Sequence, residues 1–162
     1  MEYFFFTLLL CVKKRNRNIV LQSVENMLNH KPIEILKLEK IIKTELEEIA
    51  LGFDGSIPIN TYQLNADGKV RLLHIHHYDE AINDLSFLKD FTDLEWLRYG
   101  INRLKSIEHL ATLSKLKILC LIQNDFEDIS VLSTLTDLEC VFLNYCKIKD
   151  ISSLSKLSKL RQ

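Results

Sequence analysis

Residues 94–104 read LEWLRYGINRL, residues 116–126 read LKILCLIQNDF and residues 138–148 read LECVFLNYCKI. These three stretches fall at steps of 22 residues, and leucine occupies 72, 94, 116, 138 and 160. Rows of that length carry six further columns. Three after each row start stand Ile75, Leu97, Leu119 and Val141, and five after stand His77, Tyr99, Leu121 and Leu143. Then come Ile82, Leu104, Phe126 and Ile148, followed by Leu85, Ile107, Ile129 and Ile151. The last two columns are Leu88, Leu110, Leu132, Leu154 and Phe91, Leu113, Leu135, Leu157; only His77 breaks the apolar rule. A fixed period between about 20 and 50 residues is the signature of a stacked-repeat fold.

The columns have a physical cause. Each row opens apolar-x-x-apolar-x-apolar, and its last two apolar positions, two apart, face the same way on an extended strand. The rest of the row turns the chain back and sends more side chains inward. One such coil cannot bury its apolar side alone, whereas stacked coils share a continuous interior.

The rows Leu94-x-x-Leu97-x-Tyr99-x-x-Asn102-x-Leu104, Leu116-x-x-Leu119-x-Leu121-x-x-Asn124-x-Phe126 and Leu138-x-x-Val141-x-Leu143-x-x-Cys146-x-Ile148 resemble the leucine-rich repeat pattern L-x-x-L-x-L-x-x-N/C-x-L. The short row, with Asp-Ile-Ser at 128–130 and 150–152 and Asp84-Leu85-Ser86 in the first row, is similar to the bacterial subclass represented by internalins. The resemblance covers about 72 to 162. It implies an α/β solenoid with a parallel sheet on the concave side, short 3₁₀ turns on the convex side, and a cap of helix and β-hairpin before the first coil. It also implies that Asn102 and Asn124 are structural, their buried amides satisfying backbone groups at the bend, and that Cys146 is buried in the same column. Glu80 at the Asn position and His77 at an inward column depart from the pattern and mark the first coil as an edge unit.

Length allows one domain, or one with an appendage: the chain has 162 residues, 47% of them apolar, and a net charge of −1 gives no reason to expect a polyanion. Four glycines and two prolines leave no visible flexible linker. We divide the chain into an apolar segment and short helix at 1–32, a capping helix and hairpin at 33–71, and repeats at 72–162.

The run Tyr3 to Val12 is followed by the basic stretch Lys13 to Arg17, the reverse of the order in a signal peptide. It is also too short to span a bilayer, which takes about 20 residues. An N-terminal element packed on the body or an extension outside the native domain fits best, with a weak membrane anchor or a cleaved signal as alternatives. Val20, Val24, Met27 and Leu28 fall at helical spacing, and Pro32 suits the start of a second helix. Ile35, Leu38, Ile42, Leu46 and Ile49 continue that spacing, predicting an amphipathic helix over about 33 to 51 that ends at Gly52. Asp67-Gly68 is a two-residue hairpin signal in which both turn positions need positive φ, so the strand at 61–65 should pair with the one at 70–76 and shield the edge of the first coil. At the other end the fifth row has only begun, and we expect the native protein to continue or this chain to be a fragment or an early-terminated product.

Function belongs where side chains leave the core, on the concave sheet. The outward positions are His74, His76, Tyr78 and Asp79; Trp96, Arg98, Gly100 and Ile101; Ile118, Cys120, Ile122 and Gln123; and Cys140, Phe142, Asn144 and Tyr145. As ligand-contacting residues we single out His74, His76, Tyr78, Trp96, Arg98, Ile118, Cys120, Ile122, Phe142 and Tyr145. Exposed apolar and aromatic patches of this kind mark contact sites, and Trp, Tyr and Arg are over-represented among binding hot spots. The expected ligand is a protein or peptide, with no nucleic acid and no cofactor. The alternative is a structural or regulatory N-terminal part of a longer, catalytic polypeptide. His74 and His76 could share a metal with Asp79 or Glu80, but two ligands do not make a site, and Arg98, expected beside His76, opposes a cation. Cys120 and Cys140 are offset by two residues on adjacent strands, roughly 8 Å apart and beyond disulfide reach. Unpaired thiols favour a reducing compartment such as the cytoplasm. No phosphate loop and no nucleophile with a placed base is present, so no enzyme class is expected.

Overall fold

The computed structural model describes residues 31–50, 57–76, 85–100 and 103–161. The apolar N-terminal run, the helical pattern at 19–29, and His77, Tyr78, Asp79, Glu80, Ile82, Ile101 and Asn102 lie outside the described residues. The chain forms two compact units, Met1–Lys31 and Pro32–Gln162. The second unit is described below.

Its chain order is α1 (Ile33–Ile42), β1 (Glu47–Glu48), β2 (Thr61–Leu64), β3 (Val70–His76), β4 (Trp96–Gly100), β5 (Ile118–Cys120) and β6 (Cys140–Phe142). Short 3₁₀ turns at Ser86–Asp90, Glu108–Thr112, Ser130–Thr134 and Ser152–Lys156 separate or follow the last four strands. One sheet runs in sequence order from β1 to β6. Only the β2–β3 hairpin is antiparallel, and the other neighbours are parallel.

The columns spaced by three explain the 3₁₀ turns. In the third coil Leu132, Leu135 and Leu138 donate their N–H groups to the carbonyls of Ile129, Leu132 and Leu135, each at 3.0 Å. A 3₁₀ helix repeats every three residues, so these four residues project from one side, inward. Asp128 Oδ1 accepts the N–H of Ser130 at 2.7 Å, and Asp150 Oδ1 that of Ser152 at 2.8 Å, which starts each turn. The interior is one apolar cluster running from Ile35, Leu38 and Ile42 of α1 through Leu138, with Leu157 as its last member. After Leu138 burial fades: Ile107 and Ile129 are each 1% exposed, whereas Ile151 in the same column is 67% exposed.

Asn124 is 2% exposed and joins two coils. Its Oδ1 accepts the Leu104 N–H at 3.1 Å and its Nδ2 donates to the Ile122 carbonyl at 3.2 Å. One coil on, Cys146 is half-buried rather than buried, and its thiol donates to the Leu121 carbonyl at 3.0 Å. A cysteine can give but hardly accept, so this rung is weaker than the asparagine one.

Four details differ from the sequence expectation. First, α1 stops at Ile42, where Lys43 turns left-handed with φ 51°. Leu46 is still buried, but on a chain that has doubled back, its N–H held by Glu39 Oε1 at 2.7 Å. Second, this return creates β1, whose Glu47 and Glu48 pair with Thr61 and Tyr62. Third, the hairpin pairs as expected, yet Asp67 is not at positive φ. Gly68 alone is, at 73°, and its N–H bonds the Asn65 carbonyl at 3.0 Å, a turn closed by a left-handed glycine. Fourth, the first register is shifted: Leu73 lies opposite Leu97 and Leu97 opposite Leu119, so the first step is 24 residues and the next 22. Leu72 therefore faces the concave side beside Trp96, and Leu73, 0% exposed, takes the core position across from Tyr62.

The coil edges add a pattern that the apolar columns do not contain. Asp93, Lys115, Asp137 and Lys159 form one column of alternating sign, and Glu95, Lys117, Glu139 and Arg161 another. Each cation pairs with the acid of the preceding coil, as in Lys115 with Asp93, Lys159 with Asp137 at 2.5 Å, Lys117 with Glu95 at 3.2 Å and Arg161 with Glu139 at 2.6 Å. Arg71 also reaches Glu95, at 3.2 Å. On the opposite edge Lys147 pairs with Asp125 at 2.8 Å and Lys149 with Glu127 at 2.5 Å.

Candidate functional site: the concave sheet face

Strand parity separates the two sides of the sheet. Leu73, Ile75, Leu97, Tyr99 and Leu119 are all 0% exposed and line the core. The residues between them form rows across the opposite face. Leu72, Trp96, Ile118 and Cys140 make one row, and His74, Arg98, Cys120 and Phe142 the next, with His76 beside Gly100. Among the described residues all the predicted contact residues on strands therefore lie on this face. Ile122 and Tyr145 stand just past the ends of β5 and β6, and Tyr78 lies outside the described residues.

Exposure sorts these residues into two groups. Trp96, Ile118 and Ile122 are half-buried, Arg98 is exposed, Phe142 is 49% exposed and Tyr145 is 83% exposed. His74 and Cys120, in contrast, are 4% and 7% exposed and form the floor. The burial of His74 has a local origin. Asn60, left-handed at φ 55°, accepts the His76 N–H on Oδ1 at 3.1 Å, and Thr61 Oγ1 bonds the Pro58 carbonyl at 2.9 Å. These bonds hold the segment 57–60 against the end of β3, beside the imidazole, whose pKa the backbone of Pro58 and Ile57 raises. Its buried Nδ1 finds no partner among the described residues. The His74 ring stands 6.3 Å from Trp96, tilted by 55°.

The register shift corrects one expectation: Arg98 lies opposite His74, not His76. Burial, and then the Arg98 charge, hold the His74 pKa below its ordinary 6.5, against the backbone hydrogen bonds that raise it. Burial also pushes the thiols of Cys120 and Cys146 up, so both stay protonated near neutral pH. Cys140 lies opposite Ile118 and Phe142 opposite Cys120, the two-residue offset expected for the cysteine pair, and all three described cysteines are free. Between Ile59, His76, Arg98, Gly100, Ile122 and Gln123 opens a cleft of about 140 Å³ with His74 and Cys120 at its base. Ile59 was not foreseen there, because nothing in a repeat pattern says where the preceding segment crosses the sheet.

Such a face can bind by contact: it joins aromatic and aliphatic surface to one guanidinium. Among the described residues no group of three or more His, Cys, Asp or Glu side chains could hold a metal, and no helix is long and apolar enough to cross a membrane.

Parallel strands every 22 residues, 3₁₀ turns behind them and an Asn/Cys column at the bend define a leucine-rich-repeat solenoid of the short, internalin-like type. No protein-family profile and no curated protein matches the chain. Among solved structures the chain is similar to three internalins of Listeria monocytogenes. With internalin C2 it shares 35% identity over 54% of this chain and 39% of that one, at a TM-score of 0.48. The internalin InlF matches at 20% identity over 81% of this chain and 50% of that chain, at 0.47. The functional domain of InlJ, described as including a cysteine ladder, matches at 21% identity over 62% and 27%, at 0.46. The chain thus spans half or less of the length of these proteins.

Proposed function

We propose that the second unit is a recognition module that binds a protein or peptide on its concave face. One observation carries this reading: Trp96, Ile118 and Phe142 on the strands, with Ile122 and Tyr145 just past them, keep apolar surface in contact with solvent although the core is filled from the other side of the sheet. Exposed apolar area is a standing free-energy cost of roughly 25 cal/mol per Å² relative to burying it. A polar residue at Trp96, Ile118 or Phe142 would fit the strand equally well, so the shared apolar character of this face favours a partner that covers it. Free thiols, raised by burial at Cys120 and Cys146, favour a reducing compartment for this encounter.

The test is a selection from a random peptide display library on the full chain. Enriched peptides should bind the wild type and lose at least tenfold in affinity against Trp96→Ala combined with Phe142→Ala. Both side chains point away from the core, so the double variant should keep the circular dichroism and melting midpoint of the wild type. Peptides held equally by both proteins would place the binding surface elsewhere.

A further inference from the structure

Arg98 is exposed near the middle of the concave face, between His74 on β3 and Cys120 on β5. No carboxylate pairs with it among the described residues, whereas Arg71 and Arg161 both close on glutamates of neighbouring coils. Across β3 to β6 the described positions on this face hold no Asp or Glu at all, because the acids are spent on the coil edges. A partner that covers Trp96 and Ile118 must therefore strip water from a guanidinium that no carboxylate among the described residues neutralises. Burying a charge without a counter-charge is strongly unfavourable, so a partner that fits this face has to bring the anion with it.

We propose that the cleft at Arg98 holds one carboxylate of an extended peptide segment of the partner, and that an aromatic or branched apolar residue two or three positions away rests on Trp96, Ile118 or Phe142. This deepens, and rests on, the reading of the concave face as a recognition surface. The guanidinium presents its donors in a fixed fork that matches the two oxygens of a carboxylate. Gly100, with no side chain, leaves room beside that fork: a Cβ built there would meet only His76 Cδ2, at 3.9 Å. The cleft of about 140 Å³ is less than half the smallest usual small-molecule pocket of about 300 Å³, so it suits one side chain rather than a whole ligand. The spacing follows from the sheet. Phe142 lies two strands from Arg98, about 10 Å away, and Trp96 two residues along the same strand, about 7 Å, which an extended peptide spans in two or three residues.

The library selection described above decides it. Enriched peptides should share an Asp, a Glu or a free C-terminus at that distance from a large apolar residue. Converting the acid to its amide should cost at least tenfold in affinity measured by fluorescence anisotropy. Arg98→Gln should cost as much and make the acid-to-amide change nearly silent, and Arg98→Lys should restore part of the loss. Raising salt from about 0.1 to 1 M should weaken the wild-type complex more than the Arg98→Gln complex. Peptides lost with Trp96→Ala plus Phe142→Ala but indifferent to both the acid and Arg98 would overturn this proposal and leave the recognition surface standing. Peptides indifferent to all these changes, or no enrichment against the wild type, would overturn both.

Discussion

His74 shows how one side chain can be placed correctly by parity and still change its role through what lies over it. On the outward side of β3 it was expected to meet a ligand, yet the segment 57–60 leaves it 4% exposed and, through burial first and Arg98 second, holds its pKa below 6.5. The sign of the resulting pH dependence is fixed. Between the folded pKa and 6.5 the unfolded chain takes up a proton that the folded chain refuses, so stability falls as pH drops through this window and is flat above it. His74→Gln removes the titration while keeping a polar side chain beside the Pro58 and Ile57 backbone. Urea midpoints of wild type and variant should therefore converge as pH falls from about 7.5 towards 5, with the wild type losing its advantage. Parallel curves would mean that the imidazole is equally protonated in both states. Tyr145 carries a different burden: at φ 61° it holds a bulky residue in the left-handed region, as Gln123 does one coil earlier at φ 57°.

At the scale of the element, the coil is a turn of fixed design whose worth depends on its neighbours. Ile129 and Ile151 occupy the same column, after the same Asp and before the same 3₁₀ turn, and differ chiefly in being 1% and 67% exposed. Ile129→Ala should cost about 2 to 5 kcal/mol, the range for deleting a buried aliphatic side chain, while Ile151→Ala should fall within about 0.5 kcal/mol of wild type. Chemical denaturation of the two variants would check this, and equal losses would show that the last coil is packed as tightly as the third. The contrast also explains what could be read in the sequence. The inward columns were legible because every coil buries the same positions, so errors at one row are corrected by the others. The helix end was not, because Leu46 and Ile49 keep helical spacing even though the chain reverses at Lys43. The strand β1 was not, because Glu47 and Glu48 are exposed and pair through the backbone, with one side-chain bond, from the Tyr62 hydroxyl to Glu48 Oε2 at 3.4 Å, that no sequence pattern announces. The first register was ambiguous for a plain reason: Leu72 and Leu73 are both leucine, and only the hairpin partner Tyr62 decides which one turns inward. The contact face was legible as a set of outward positions, and the cleft was not, since Ile59 comes from outside the repeat.

For the molecule as a whole, stability is transmitted from coil to coil, as in other solenoids, with no long-range closure to enforce the order of the rows. The apolar columns alone discriminate little between coils, since an apolar side chain faces another at every described step. The charged edges are more selective. Excising 94–115 would bring Asp93 next to Asp137 and Arg71 next to Lys117, like charges in both columns, whereas excising 94–137 would bring Asp93 next to Lys159 and Arg71 next to Glu139. Such exposed pairs are each weak, but repulsion and attraction respond oppositely to screening. The melting temperature of the single excision should rise with added salt and that of the double excision should fall or stay level, and identical salt responses would contradict this. Alternating sign thus acts as a parity check on the number of coils: in this protein rows are gained or lost without electrostatic conflict only in twos, which ties the reach of the curved face to even increments of length.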